Sequence, residues 1–198
     1  MAIFDSAYQG FASGDLDRDA YSIRLFAKNT DRVMTTQSFA KNFGLYGERI
    51  GCLGVVCRNE EEAIRVNGRI RTFARPMYSN PPLHGARVID IVLGDSKLTK
   101  MWHEDLKLMS GRMTQMRTAL VKGLKDNGSK IDWTHITNQI GMFAYTGLGE
   151  DQVLDVRAKE ALYMTNDGRI SICGLNTKNV NYVAQAIHRV TKDKGLPA

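Results

Sequence analysis

An aspartate, a serine and a lysine near the start of the chain have the spacing to meet at one place. Asp5 follows the apolar pair Ile3-Phe4, and Ser38 and Lys41 follow the apolar run 33–37. If both runs are strands joined through a helix, the unit is parallel and right-handed, and both strand ends lie on one edge of the sheet. Open α/β sheets bind their ligands at that edge. A carboxylate, a hydroxyl and an amine would converge there. Strand ends are commonly polar, so the convergence alone does not select a reaction.

The elements that must position these groups follow from pattern. Asp15 or Asp17 can cap a helix running to about Asn29. Residues 38–49 read as a loop with Gly44 and Gly47, and 50–57 as a continuous apolar strand of the fully buried kind. Cys52 and Cys57 would lie on its opposite faces. Asn59 can cap a helix with Glu60, Glu61 and Glu62 in its first turn, and that helix should end before Pro76. Ser79-Asn80-Pro81-Pro82 is a turn and the start of a helix to about Leu93. A long helix covers about 96–125, with apolar residues at 98, 102, 106, 109, 113, 116, 120 and 124 on one face. Ser110-Gly111 could bend it, and its methionines read as core filler. Beyond Asp126-Asn127-Gly128 the pattern gives a strand at 141–146, a helix at 150–162, a strand at 169–175, and a last helix capped by Asn176. The class is α/β, with a boundary near 109–111 inside the long helix.

Composition narrows the function. With 27 Lys+Arg against 21 Asp+Glu, the 198 residues carry a net charge of +6, and 43% are hydrophobic. That excludes a disordered chain. The basic residues are scattered rather than gathered in a stripe, which argues against nucleic acid and favours small anions held by single arginines. The longest uncharged stretch, 133–149, contains His135, Asn138 and Gln139, so no membrane span is expected. No basic, apolar leader opens the chain. Three cysteines and four isolated histidines without metal-ligand spacing point to a reducing compartment and no metal site.

Order and spacing then add a resemblance. Asp5-Ser6-Ala7-Tyr8-Gln9-Gly10-Phe11 is followed by Ser38-Phe39-Ala40-Lys41-Asn42 and by Gly47-Glu48-Arg49-Ile50-Gly51. Further on come Arg75-Pro76-Met77-Tyr78-Ser79-Asn80-Pro81-Pro82 and Asp167-Gly168-Arg169-Ile170-Ser171. The series resembles the C-terminal half of the aspartate aminotransferases, class I enzymes of fold type I that use pyridoxal phosphate. It extends over essentially the whole chain. The fold it implies is the C-terminal part of a large cofactor-binding domain at 1–109, a mostly parallel sheet flanked by helices. A smaller α/β domain follows at 110–198.

By that resemblance Lys41 is the catalytic lysine that attaches to the cofactor's aldehyde. Displaced by substrate, it moves the proton at the substrate α-carbon. Asp5 faces the pyridine nitrogen and keeps it protonated. Tyr8 hydrogen-bonds the phenolic oxygen, and Ser38 and Arg49 hold the phosphate. Arg169 clamps the α-carboxylate. Arg75 binds the distal carboxylate, in the family at the neighbouring subunit's site. The implied reaction is transamination between aspartate and 2-oxoglutarate, giving oxaloacetate and glutamate, in a homodimer that is cytoplasmic or mitochondrial.

The family's amino-terminal half has no counterpart in the sequence. That half supplies a glycine/serine phosphate loop, an aromatic residue stacked on the cofactor, and several strands. The chain is therefore expected to be a truncated or split product that binds the cofactor weakly and turns over poorly alone. Two other readings compete. Ser38-Phe39-Ala40-Lys41 also fits the S-x-x-K nucleophile of penicillin-recognising hydrolases, whose K-T-G partner is missing. A half-enzyme could instead serve as a non-catalytic dimerisation or interaction piece.

Overall fold

The computed structural model describes residues 1–197. They form two compact units, residues 1–10 with 15–107, and residues 11–14 with 108 onward. No helix among the described residues is long and apolar enough to cross a membrane.

The first unit begins with β1 (Ala2–Ser6), α1 (Leu16–Asp19), α2 (Tyr21–Asn29) and β2 (Val33–Ser38). Asp15 caps α1, its carboxylate accepting the N–H groups of Asp17 at 2.9 Å and Arg18 at 3.1 Å. The helix expected to run on to Asn29 is broken at Ala20 into two. β1 and β2 pair in parallel, with Asp5 opposite Thr36 and Ser6 opposite Gln37. Side chains alternate across a strand, so Phe4 and the buried Val33 share one face. There Phe4 meets Phe26 of α2 edge-on at 5.1 Å. On the other face Ile3, Asp5 and Thr36 are exposed.

β3 (Gly51–Val55) pairs antiparallel with β2 and completes a three-stranded sheet in the order β1-β2-β3. The expectation of a fully buried strand over 50–57 is corrected here. β3 is five residues long, and Cys52 and Leu53 are exposed. It is an edge strand, paired on one side only among the described residues. It lies so close to β2 that a Cβ on Gly51 would sit 2.7 Å from the Gln37 carbonyl oxygen. Apolar composition gave the right element but said nothing of which neighbours cover it.

α3 (Glu60–Tyr78) starts as expected, with the Asn59 side chain accepting the Glu62 N–H at 2.9 Å. It does not stop before Pro76. Proline near a C-terminus removes one ladder bond, and the last turn is closed by the Ser79 N–H donating to the Arg75 carbonyl at 3.1 Å. Ser79 takes a positive φ of 67° to do so. No residue of α3 is buried, and Ile64, Phe73 and Met77 are exposed. α4 (His84–Gly94) and the first part of α5 (Ser96–Asp126) complete the unit.

The second unit holds the rest of α5, then α6 (Thr134–Asn138), β4 (Phe143–Tyr145), α7 (Glu150–Glu160), β5 (Arg169–Ser171) and α8 (Val180–Thr191). β4 and β5 are antiparallel, with Tyr145 opposite Arg169. β5 is shorter than its apolar run, because the chain turns into a 3-10 segment at Ile172–Gly174, and β4 spans the three residues that pair with it. Asn176 does not cap α8. Its carboxamide oxygen instead accepts the N–H groups of Lys178 and Asn179 in the preceding turn. The core is Leu120, Leu124, Trp133, Ile136, Val153, Val156, Ile172 and Ile187, all fully buried. α6 had no expectation, being one short turn within an uncharged stretch.

α5 runs unbroken through Ser110-Gly111. Its buried stripe follows the expected positions at Leu106, Met113, Met116, Leu120 and Leu124. It departs at Met109, which is exposed while Ser110 beside it is buried. Leu124→Ala should therefore cost about 2–5 kcal/mol of unfolding free energy. Leu108→Ala, at a position 71% exposed, should stay within about 0.5 kcal/mol. Urea titration followed by circular dichroism checks both, and equal losses would contradict this assignment of the core.

Candidate active site

Lys41 sits in the turn after β2, a segment with no regular structure to hold it. Its neighbours supply the hold. Phe39 N–H donates to the Ile50 carbonyl at 3.1 Å, and the Ser38 hydroxyl accepts the Ala40 N–H at 3.2 Å. The indole N–H of Trp102, from α5, donates to the Asn42 carbonyl at 2.7 Å. The Trp102 ring stacks on Phe43 at 4.3 Å, and Phe43 meets Phe39 edge-on at 5.5 Å. The buried Asn42 amide reaches the Gln9 carbonyl at 3.4 Å, tying this turn to the loop after β1.

That tie brings Tyr8 to Lys41. The lysine Nζ lies 5.0 Å above the Tyr8 ring and 5.7 Å from the Tyr46 ring. Arg49 donates from its guanidinium to the Tyr46 carbonyl at 3.0 Å and takes a positive φ of 50°. Asp5 lies opposite Thr36 in the ladder, and Ser38 is two residues further along β2. The period of two puts Asp5 and Ser38 on the same, exposed face of the sheet. Asp5 forms no ion pair with any described residue, so its carboxylate is open to a ligand. Lys41, Tyr8 and Tyr46 are thus in direct contact, with Arg49 bonded to Tyr46 and Asp5 and Ser38 along the adjoining sheet face.

Arg75 and Arg169 each have contacts of their own. Arg75, in the last turn of α3, is exposed and donates to the Ser79 hydroxyl at 2.6 Å. Arg169 belongs to the second unit. Its guanidinium lies 5.0 Å above the Phe143 ring. Ring stacking of this kind leaves the edge of the N–H fork open to a carboxylate. The turn before it is tightly made. Asp167 accepts the Thr165 hydroxyl and, at 3.2 Å, the Arg169 N–H. The Thr165 hydroxyl, and then the Arg169 N–H, hold the Asp167 carboxyl below its ordinary value. Gly168 has φ +79°, and a Cβ there would meet the Leu148 carbonyl oxygen at 2.7 Å.

Sequence reasoning missed Tyr46, Trp102 and Phe143. Trp102 sat in the apolar stripe of α5 and read as core, and nothing in its spacing announced a hydrogen bond to the lysine turn. Tyr46 lies between two loop glycines, where the sequence gives no geometry. Among the described residues no group of three or more His, Cys, Asp or Glu side chains is placed to hold a metal. The arrangement can hold an anionic ring compound that carries an aldehyde. It offers an amine for the carbonyl carbon, a carboxylate, a phenol, and a hydroxyl with a guanidinium for a phosphate.

Residues 1–187 match the model of the family described as aminotransferase class I and II. The chain is 50% identical over 192 residues to the mitochondrial aspartate aminotransferase of Arabidopsis thaliana, covering 97% of this chain and 45% of that protein. It is 51% identical to the Gallus gallus mitochondrial enzyme over the same shares. Among solved structures, the mitochondrial aspartate aminotransferase of Trypanosoma brucei superposes with a TM-score of 0.94 at 48% identity, over 96% of this chain and 50% of that one. An aromatic-amino-acid aminotransferase of Burkholderia pseudomallei, described as covalently bound to pyridoxal phosphate, superposes at 0.93 with 40% identity, over 95% of this chain and 47% of that one. The chain spans about half the length of the curated relatives it matches. On the family match and on the shared fold, it belongs to the class I and II aminotransferases.

Proposed function

We propose that the chain carries the lysine-bearing half of a pyridoxal-phosphate transaminase acting on aspartate and 2-oxoglutarate, with oxaloacetate and glutamate as products. The observation that carries this reading is the placement of Lys41, its amine 5.0 Å over the Tyr8 ring on a turn anchored by Trp102. The donor set fits the cofactor. Lys41 suits its aldehyde, Asp5 its pyridine nitrogen, Tyr8 its phenolic oxygen, and Ser38 with Arg49 its phosphate. Bound there, pyridoxal phosphate supplies an electron-withdrawing ring that stabilises negative charge at the substrate α-carbon.

The chain's own residues do the rest. Lys41 would hold the aldehyde carbon and, once free, would move the proton at the substrate α-carbon. Asp5 keeps a proton on the pyridine nitrogen by its negative charge. Arg49 neutralises phosphate charge, and the Ser38 hydroxyl donates to a phosphate oxygen. Arg169 takes the substrate α-carboxylate on its open fork. Arg75 takes the distal carboxylate at the site of a second subunit. The apolar residues exposed along α3 support that last role, because an oligomer face would cover them.

The same exposed helix favours a second reading, a non-catalytic piece that pairs with a longer relative. Size-exclusion with and without such a relative separates the two. For location, the relatives' names include both mitochondrial and cytoplasmic enzymes, and we place the chain in one of those compartments.

Borohydride reduction after addition of pyridoxal phosphate, followed by peptide mapping, should give one dominant adduct at Lys41. Adducts spread evenly over surface lysines would overturn the reading. In a catalytically competent assembly containing this chain, Arg75→Ala should lower kcat/KM for aspartate by roughly 10- to 100-fold, as expected for loss of one charged hydrogen-bonded contact. An aromatic amino acid should be affected far less. Equal losses for both would remove the assignment of Arg75 to the distal carboxylate.

A further inference from the structure

Arg117 lies in the part of α5 that belongs to the second unit, and it is 3% exposed. One of its terminal nitrogens donates to the Phe143 carbonyl at 2.6 Å. Its Nε is buried and has no hydrogen-bond partner. No described carboxylate lies within ion-pair distance of it. The titratable group that faces it is Cys173, whose thiol is pushed up by burial and is therefore uncharged near neutral pH. Burial also pushes the Arg117 guanidinium down from its ordinary value. Arginine nevertheless stays charged in proteins. A buried cation with neither counter-charge nor full hydrogen bonding is among the arrangements a fold tolerates least.

Beside Arg117 is a cavity of about 140 Å³. Its polar lining is Arg117, Ser110, Thr114, Thr118, Thr137 and Gln139, and no lining residue is acidic. The neutral donors are already committed. Ser110 donates to the Phe11 carbonyl, Thr114 to Ser110, Thr118 to Thr114, and Thr137 to Thr134. The Gln139 amide donates to the His135 and Tyr145 carbonyls. Arg117 is left as the lining side chain with a free donor and an unbalanced charge.

We propose that this cavity binds a single small carboxylate, seated against the guanidinium of Arg117. The volume equals that of about four or five waters, enough for an acid of a few heavy atoms. One cationic donor suits one carboxylate. A phosphate or sulfate dianion would lack the further donors it needs. The same guanidinium holds the Phe143 carbonyl, and the Phe143 ring lies beneath Arg169. Filling the cavity therefore steadies the strand under that arginine. The carboxylate is either a free acid or an acidic side chain brought by further polypeptide. The site stands independently of the transaminase reading.

The test is thermal unfolding of the whole chain at constant ionic strength, titrated with formate, acetate, N-acetylglutamate α-amide, sulfate and chloride. At ten times the half-saturating concentration, a carboxylate should raise the midpoint by about 3–6 °C, with sulfate and chloride inert. Saturation by formate or acetate marks a free-acid site. Saturation by the glutamyl amide alone marks a side-chain site. Arg117→Met should abolish the response. If that variant does not fold, carbon-13 formate linewidths on the unaltered chain decide: broadening that acetate reverses and sulfate does not supports the site. No carboxylate response, an equal response to sulfate, or an unchanged response in Arg117→Met overturns it.

Discussion

The turn that carries Lys41 has no ladder of its own, and one indole N–H holds it to a helix. The Trp102 hydrogen bond to the Asn42 carbonyl is one residue from the lysine. The Trp102–Phe43 stack is two residues away. A buried hydrogen bond contributes about 1 kcal/mol net, and an aromatic pair about 0.5–1.5 kcal/mol. Those are small sums against the whole fold. They are concentrated at the turn that we propose carries the reacting amine, where a positional error of a fraction of an ångström is expensive in rate. The Gln9–Asn42 tie then fixes the Tyr8 loop to the same anchor.

The sheet explains the rest of the constellation. Parallel pairing of β1 with β2 carries Asp5 and Ser38 to one face, and α2 covers the other through Phe4 and Phe26. The open face is the one that we propose for the cofactor. Its exposed Ile3 and Leu53 flank the Asp5 and Ser38 positions. A ligand ring, or further polypeptide, has apolar surface to rest on there.

The parallel unit was legible because it depends on order and spacing, which sequence records; Tyr8 entered only through the family resemblance. The burial of β3 was not legible, because a run of apolar residues is the same string on an edge strand as in a sheet centre. Pro76 misled in a similar way. A helix breaker is decisive mid-helix, but near the end it removes a single bond, and the helix still closes three residues later with the Ser79 N–H on the Arg75 carbonyl. Arg117 shows a third limit. It lies four residues after Met113 and three before Leu120, on the buried face of the helix, yet arginine is ordinarily a surface residue and no expectation singled it out. The charge that burial left unbalanced is what makes the second unit's cavity chemically specific.

The central claim is that the Trp102 indole N–H positions the Lys41 amine. The direct measurement is the rate at which pyridoxal phosphate, trapped by borohydride, labels Lys41 in the unaltered chain and in Trp102→Phe, which keeps an aromatic ring and removes the N–H. Loss of about 1 kcal/mol of positioning predicts labelling slower by roughly fivefold, with other lysines unaffected. An unchanged Lys41 rate in a folded Trp102→Phe chain would contradict the account.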